Sequence, residues 1–531
     1  MDSILAVCGK EFVAYAIGVD EMDDLTNVTI SPAQEEVLGV LSSLIRSSFD
    51  QGNSNDPFAI YSSLASINQY RADLDGSFVN FLRTSTGAEL PEIGEEGVDQ
   101  LLVDFLYLAR DAWAHYLMPR PKEGPQAFWM SMPIVTFQHP RSFSIATAVL
   151  NDPHLGSLFP DSADDARTVE SIEELLRYTS LIYMNTGSGG SFQLSSLIGN
   201  VLTDAILRTL QLHGVLRWQP FSVQLAETIA DLRLLAAKKK VSSKTLVGVF
   251  GVQAEGAGTI AIGNGTLRAP LPIERELFLS NAGALTAVLE TSTELQLLKV
   301  MKHDLTDGHD PVWNWLRPRV EESQRSFQRE IDLVRFSLLL ASPNDAPWVA
   351  SESARFIFNL MTPGGIQSWN PSNFGAAESY PVDGSSEQII QSWHRTLASK
   401  HVNSLDVGMR RLLAATTART DPIDAFVDAV VAWENMFGAQ SETTFRVTGA
   451  ISKLLSDDIG KREILHKELK GLYQKRSQLV HGGKEPSSTE IWELRNRAIA
   501  VATDCFRTLY ENRPDLLELS SDARGARLLI E

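Results

Sequence analysis

The sequence predicts an α+β fold: a mixed α/β N-terminal region followed by a C-terminal all-α bundle of helices. Three observations predict it. Runs of β-type apolar residues occur between Thr245 and Leu267, helical periodicity fills most of 387–511, and a stretch punctuated by Gly, Pro and Ser separates them between Met361 and Ser386. The expected layout of the 531 residues is multidomain: 1–125 mainly helical, 126–361 mixed α and β, 362–386 a linker, 387–515 the bundle and 516–531 a tail.

Ser31-Pro32 opens the first clear helix, Pro32 to Ser47: serine can accept from an early helical N–H, and proline at the first position gives up a donor that has no partner there. Val37, Leu38, Val40, Leu41, Leu44 and Ile45 keep a helical repeat. A second helix, Val98 to Leu117, stops before Pro119 and Pro121 and carries His115 as a packed core residue beside Trp113 and Tyr116. From Phe128 to Leu150 the pattern turns β-like at Ile134–Phe137 and Phe143–Ile145, and Val169 to Met184 reads as helix. Asn185–Ser191 is glycine-rich but lacks both the Gly-Lys-Ser/Thr ending of a phosphate loop and the dinucleotide fingerprint, so it reads as a flexible loop.

Lys238–Lys240, with Lys244 close by, reads as a solvated turn. Leu246–Phe250 and Thr259–Ile262 flank Gly256–Gly258 as a hairpin, and Gly263-Asn264-Gly265 ends the second strand. His303, Asp304, Asp307, His309 and Asp310 are legitimate metal-ligand types, but Gly308 and Pro311 place them on irregular chain without a rigid frame. No metal or cofactor is expected. Arg319 to Leu340 is an amphipathic helix, apolar at Phe327, Ile331, Val334 and Leu338. Beyond the linker come helical patterns at 387–398, 404–418, 422–437 and 442–455, then Arg462 to Val480, then Ser488 to Glu511. The short connections imply antiparallel neighbours.

Bulk properties limit the function classes. A formal net charge of −19, from 47 Lys and Arg against 66 Asp and Glu, excludes a protein that coats nucleic acid over its whole surface. Between Lys461 and Arg497 the sign reverses, with nine Lys or Arg against five Asp or Glu, which permits a local RNA site. Cys8 and Cys505 form no CxxC knuckle and no disulfide framework, as expected for a reducing compartment. With no signal-like start and no apolar run of about 18 residues, the expected location is the cytoplasm, without a membrane partner.

The chemistry concentrates in Lys470–Gly483. Leu465, Leu469, Leu472, Leu479 and Val480 give a helix that meets Gly482-Gly483 and then Pro486, a C-terminal stop signal. His481 therefore sits at the end of the helix. Tyr473, Ser477 and His481 follow one another at i, i+4 along one side. Arg476 stands about 140° from His481 by the helical repeat, so a bulge, a frayed last turn or a second copy is needed to bring both to one phosphate. Arginine offers a charged fork that matches phosphate, and histidine moves a proton near neutral pH. Together they suffice for RNA cleavage without a metal: the base takes the ribose 2′-hydroxyl proton and the cation holds the developing phosphorane charge.

The stretch Leu472–Gly482, with its Tyr473, Arg476-Ser477 pair and His481-Gly482 ending, resembles the signature helix of Apea-like HEPN domains and their R-x4–6-H motif. Phe426–Phe437, carrying Glu434, is similar to the preceding helix of that family, and the resemblance covers roughly residues 385–515. It implies a HEPN-type helical bundle whose Arg476 and His481 are the catalytic pair of a metal-independent endoribonuclease. Glu434 would orient Arg476, or simply lock the bundle, and Tyr473 and Ser477 would support the pair or pack. Lys470, Lys475 and Lys484 would meet the RNA backbone. The family commonly dimerises with motif helices face to face, so a homodimer is expected, and related proteins act as toxin-like anti-phage effectors. The larger N-terminal region would then answer an unknown trigger. The other reading is a non-catalytic module for dimerisation or RNA binding.

Overall fold

A computed structural model describes the chain except residue 1 and residues 20–24, 26–27, 52–65, 96, 120–138, 161–166, 188, 255–257, 279–284, 303–309, 344–349, 363–365, 370–379, 439–442 and 484. It is mixed α and β, with a helical C-terminal region. The candidate segments Ile134–Phe137 and His303–His309 lie outside the described residues.

The first part is mainly helical: α1 (Asp2–Cys8), α2 (Lys10–Ala16), α3 (Pro32–Gln51), a small β1–β2 ribbon (Tyr70–Arg71 and Gly76–Ser77), α4 (Phe78–Ser85), α5 (Gln100–Asp111) and α6 (Trp113–Leu117). Ser31 caps α3 in a reciprocal box, its Oγ accepting from Gln34 N and Gln34 Oε1 accepting from Ser31 N at 2.8 Å. The helix expected from Val98 to Leu117 is broken at Ala112, leaving His115 buried as expected.

Two expectations fail next. Phe143–Ile145 belongs to α7 (Pro140–Asn151), not to a strand: His139 Nδ1 accepts from Arg141 N at 3.1 Å, Pro140 takes the first helical position, and Ile145, Ala146, Val149 and Leu150 are buried at helical spacing. Val169–Met184 is only half helix, α8 (Ile172–Arg177), and then becomes β3 (Thr179–Met184), whose residues alternate in burial. The glycine-rich stretch after it is the turn of a hairpin with β4 (Gly189–Gln193).

Two long helices follow, α9 (Leu194–His213) and α10 (Trp218–Ala236), and then the strands β5 (Val241–Phe250), β6 (Val252–Ala254), β7 (Ile260–Ile262) and β8 (Gly265–Arg268). The expected hairpin of β5 with β7 does not form. β5 pairs with β9 (Ala287–Leu295) and with β11 (Ser351–Ile357), while β7 pairs with β8 across Gly263-Asn264, where Gly263 takes φ +59°. The six-stranded sheet runs β12-β11-β5-β9-β8-β7, with β12 at Ile366–Trp369. One residue past β9 the chain enters β10 (Leu297–Lys302), which joins β3 and β4 in a second sheet. α11 (Pro272–Leu277) lies between β8 and β9, and α12 (Asp310–Ala341) is the long amphipathic helix. The stretch read as a linker contributes β12 and also β13 (Tyr380–Val382), which pairs in parallel with β6.

The C-terminal helices are α13 (Glu387–Lys400), α14 (Asp406–Leu413) with a π-turn at Ala414–Ala418, α15 (Pro422–Phe437), α16 (Thr443–Leu455), α17 (Ile459–Val480), α18 (Ser488–Glu511) and α19 (Ser521–Ile530). The last occupies the segment expected as a tail. α15 is the central rod: Asp421 caps it, accepting from Ile423 N at 2.8 Å, and Phe426, Val430, Trp433, Met436 and Phe437 are fully buried. These helices share one apolar core with the large sheet, through Val247 and Leu289 on the sheet and Ile331, Val334 and Leu338 on α12. Arg507 on α18 donates to the carbonyls of Leu340 at 3.0 Å and of Ser342 at 2.5 Å, groups that the end of α12 leaves without helical partners.

One buried histidine makes this region acid-sensitive. His401 is buried between Tyr510 Oη and Asp406 Oδ1, the latter at 2.8 Å from Nε2. Burial pulls its pKa below the ordinary value against the opposing pull of Asp406, with Arg329 adding a smaller push downward. The folded state therefore binds this proton less readily than the unfolded chain. Its stabilising share is present above about pH 6.5 and is lost as pH falls through that value. Urea midpoints measured at pH 7.5 and 5.5 should differ less in His401→Gln than in the parent.

Candidate active site

α17 begins where Asp458 Oδ1 accepts from Lys461 N at 2.8 Å, and it runs unbroken to Val480. Its stop is a complete Schellman closure: Gly483 N donates to Gln478 O at 2.7 Å and Gly482 N to Leu479 O at 3.3 Å, with Gly482 at φ +77°. His481 is the C-cap, exposed, its N–H still bonded to Ser477 O at 3.2 Å. The helix neither bulges nor frays before it, so about 140° of helical rotation still separates Arg476 from His481.

Gly482 and Gly471 give opposite predictions. At φ +77° a Cβ is disfavoured by about 1 kcal/mol or more, so Gly482→Ala should destabilise and also disturb the seat of His481. Gly471 lies mid-helix, exposed, with nothing near an added Cβ, so Gly471→Ala should stabilise by up to about 1 kcal/mol. Chemical denaturation of the two variants checks both signs.

Only Leu469, Leu472 and Tyr473 of α17 are buried, and the helix packs on α15 and α16. Glu434, in the last turn of α15, is the meeting point. Tyr473 Oη donates to its Oε1 in a short hydrogen bond, and Arg476 Nη2 donates to its Oε2 at 3.3 Å. Burial, reinforced by the hydrogen bond to Glu434, raises the Tyr473 hydroxyl well above its usual range, so it stays a donor at all physiological pH. Arg476 is about four-fifths buried, with side-chain exposure of 21%. Its Nε is buried without a hydrogen-bond partner among the described residues, and Nη2 makes the one bond to Glu434.

The structure thus brings together Glu434, Tyr473 and Arg476, and leaves His481 on another side of the same helix end. Ser477 is half-buried, and its hydroxyl has no partner among the described residues. Lys470 is exposed, Lys475 is paired with Glu490 at 2.9 Å, and Lys484 lies outside the described residues. Sequence reasoning passed over His466, two turns before Tyr473 on the same side of α17. Its Nδ1 is buried without a hydrogen-bond partner among the described residues, and its ring meets Phe445 edge-on at 5.9 Å. Seven-residue spacing from Tyr473 was the available signal.

Among the described residues, no cluster of three or more His, Cys, Asp or Glu is placed to hold a metal ion, and no helix is long and apolar enough to cross a membrane. Comparison with known proteins gives no match to a family model, to a curated protein or to a solved structure.

Proposed function

We propose that the C-terminal helical region is a HEPN-type bundle acting as a metal-independent endoribonuclease. The observation that carries this reading is the state of Arg476: its guanidinium is oriented by Glu434 through one bond, while its remaining donors have no partner among the described residues. A fork held in this way is suited to a phosphate, and the exposed His481 at the same helix end supplies a base. His481 takes the 2′-hydroxyl proton, the 2′-oxygen bonds to phosphorus, and the bond to the 5′-oxygen breaks. The products are a 2′,3′-cyclic phosphate and a 5′-hydroxyl, the latter carrying the proton gained.

Because α17 keeps Arg476 and His481 apart within one copy, the reading requires a homodimer in which the arginine of one copy and the histidine of the other address the same phosphate. The largely exposed α17, with Ile464 at 72% and Val480 at 51% exposure, supports such pairing. The same two residues also favour the second reading, a bundle that dimerises without cutting. The resemblance further suggests a toxin-type or defence effector in the cytoplasm, restrained by its N-terminal region. End-group analysis separates the readings. Short single-stranded RNA incubated with the purified chain in EDTA should yield cyclic phosphate ends; 3′-hydroxyl ends would sink the proposed chemistry, and a stable dimer that leaves the RNA intact would favour the second reading.

A further inference from the structure

A cavity of about 200 Å³ opens where α9, α10 and β5 meet Phe358, far along the chain from the RNA site. Its charged walls are already matched. Arg208 donates from Nε to Asp204 and from Nη1 to Asp231, both at 2.7 Å. Lys244 Nζ lies 2.8 Å from Glu290 and donates to Gln211 Oε1 at 2.5 Å. Gln211 in turn donates from Nε2 to the fully buried Glu274 at 2.8 Å, and Glu274 is tied to Arg268. These bonds fix the walls and leave neither cation uncompensated, so a free anion has little to gain by entering.

Gln224 differs from the rest of the lining. The residue is 93% buried (relative exposure 7%) and lines the cavity, where its amide makes no hydrogen bond to the described residues and reaches the cavity's solvent. An amide presents a donor and an acceptor side by side, and one that faces a cavity with no protein group across from it is open to a ligand carrying the complementary pair. Phe358, held edge-on to Phe356 at 5.0 Å, supplies an apolar wall. A cavity of about 150 Å³ already admits benzene, so this one has room for a six-membered ring with exocyclic groups.

We infer that this cavity is a binding site for a neutral planar heterocycle with an adjacent donor and acceptor, the class to which nucleobases belong, read by the Gln224 amide. The bidentate pairing of a glutamine amide with the edge of adenine is the same chemistry. This inference does not depend on the ribonuclease reading.

Isothermal titration of the purified full-length chain with adenine, cytosine, uracil and hypoxanthine tests it. Saturable binding of at least one base is expected, weakened at least tenfold in Gln224→Leu, which keeps the volume and removes both polar groups. The melting temperature of Gln224→Leu should be unchanged or higher, because no protein partner is lost. Ser242→Trp, at an exposed lining position, should block binding by filling the mouth. Absence of saturable heat with all four bases at millimolar concentration would overturn the inference. So would binding that Gln224→Leu leaves intact, or a melting temperature that falls in that variant.

Discussion

Replacing Arg476 with alanine is expected to lower RNA cleavage by about 100- to 1,000-fold, the usual loss when a preorganised donor to a developing oxyanion is removed. The fold should survive, because the only protein acceptor for the guanidinium is Glu434, at 3.3 Å, among the described residues. Lysine should not rescue it, since a single ammonium cannot reproduce a fork aimed by a carboxylate. His481→Ala should lose about 100- to 10,000-fold by removing the base, with even less effect on stability, since the side chain is exposed. Glu434→Gln separates orientation from chemistry. Its amide can still accept from Tyr473 but attracts Arg476 weakly, so cleavage should fall less than in Arg476→Ala, with the pH profile of the reaction unmoved. A composite site makes one further demand: mixing the inactive Arg476→Ala and His481→Ala chains should restore part of the activity, because one of the two sites in a mixed dimer keeps both groups.

The largest effect on stability should come from Arg524→Ala. Arg524 on α19 is fully buried and donates to the carbonyls of Leu516 at 3.0 Å, Met436 at 2.8 Å, Leu517 at 3.2 Å and Leu519 at 2.8 Å. No carboxylate pairs with it among the described residues. Burial pulls its pKa down to about 10, so it remains charged at neutral pH, held by those carbonyls and a longer bond to Ser404 Oγ at 3.5 Å. Met436 O is one of the last carbonyls of α15, which has no helical partner of its own. Alanine would take the donor from Met436 O, Leu517 O and Leu519 O, while Leu516 O keeps Leu519 N at 3.3 Å, a loss on the order of 3–5 kcal/mol. Two forces oppose each other here, since alanine also relieves the burial of a charge. The abandoned carbonyls decide the sign, because the helix end cannot turn to find water. Gly525 fixes this close approach: a Cβ there would lie 2.8 Å from Phe437 O. Urea denaturation should show the loss directly, and a shift below about 1 kcal/mol would refute the argument. Since Glu434 lies two residues before Met436, the variant should lose cleavage as well.

What the sequence disclosed about the C-terminal half followed from local chemistry. Gly482-Gly483 after a charged helix is a signal within a few residues, and it corresponds to a formed Schellman closure. α19 was missed because its evidence is not local. Arg524 looks like a surface charge until the loop carbonyls that receive it are known. The same holds for the sheet. β5 was recognised as a strand, but its partners lie more than 35 residues away, and strand pairing is set by tertiary context more than by propensity. Short edge strands such as β12 and β13 sit in Pro- and Gly-rich chain and carry too few residues to show an alternation. At the candidate site the resemblance implied that Glu434 would orient Arg476 or lock the bundle, and the two side chains lie 3.3 Å apart. The hydrogen bond of Tyr473 to the same carboxylate had been an open choice between packing and bonding. The cavity around Gln224 was invisible because it needs four separate segments of chain.

Cleavage of total cellular RNA in EDTA, by the purified chain beside His481→Ala and in cells expressing each, tests the central claim most directly. The parent should give discrete fragments with 2′,3′-cyclic phosphate ends and arrested growth, and the variant intact RNA with normal growth. Equal cleavage by both proteins, or RNA left intact by both in the tube and in the cell, would contradict it.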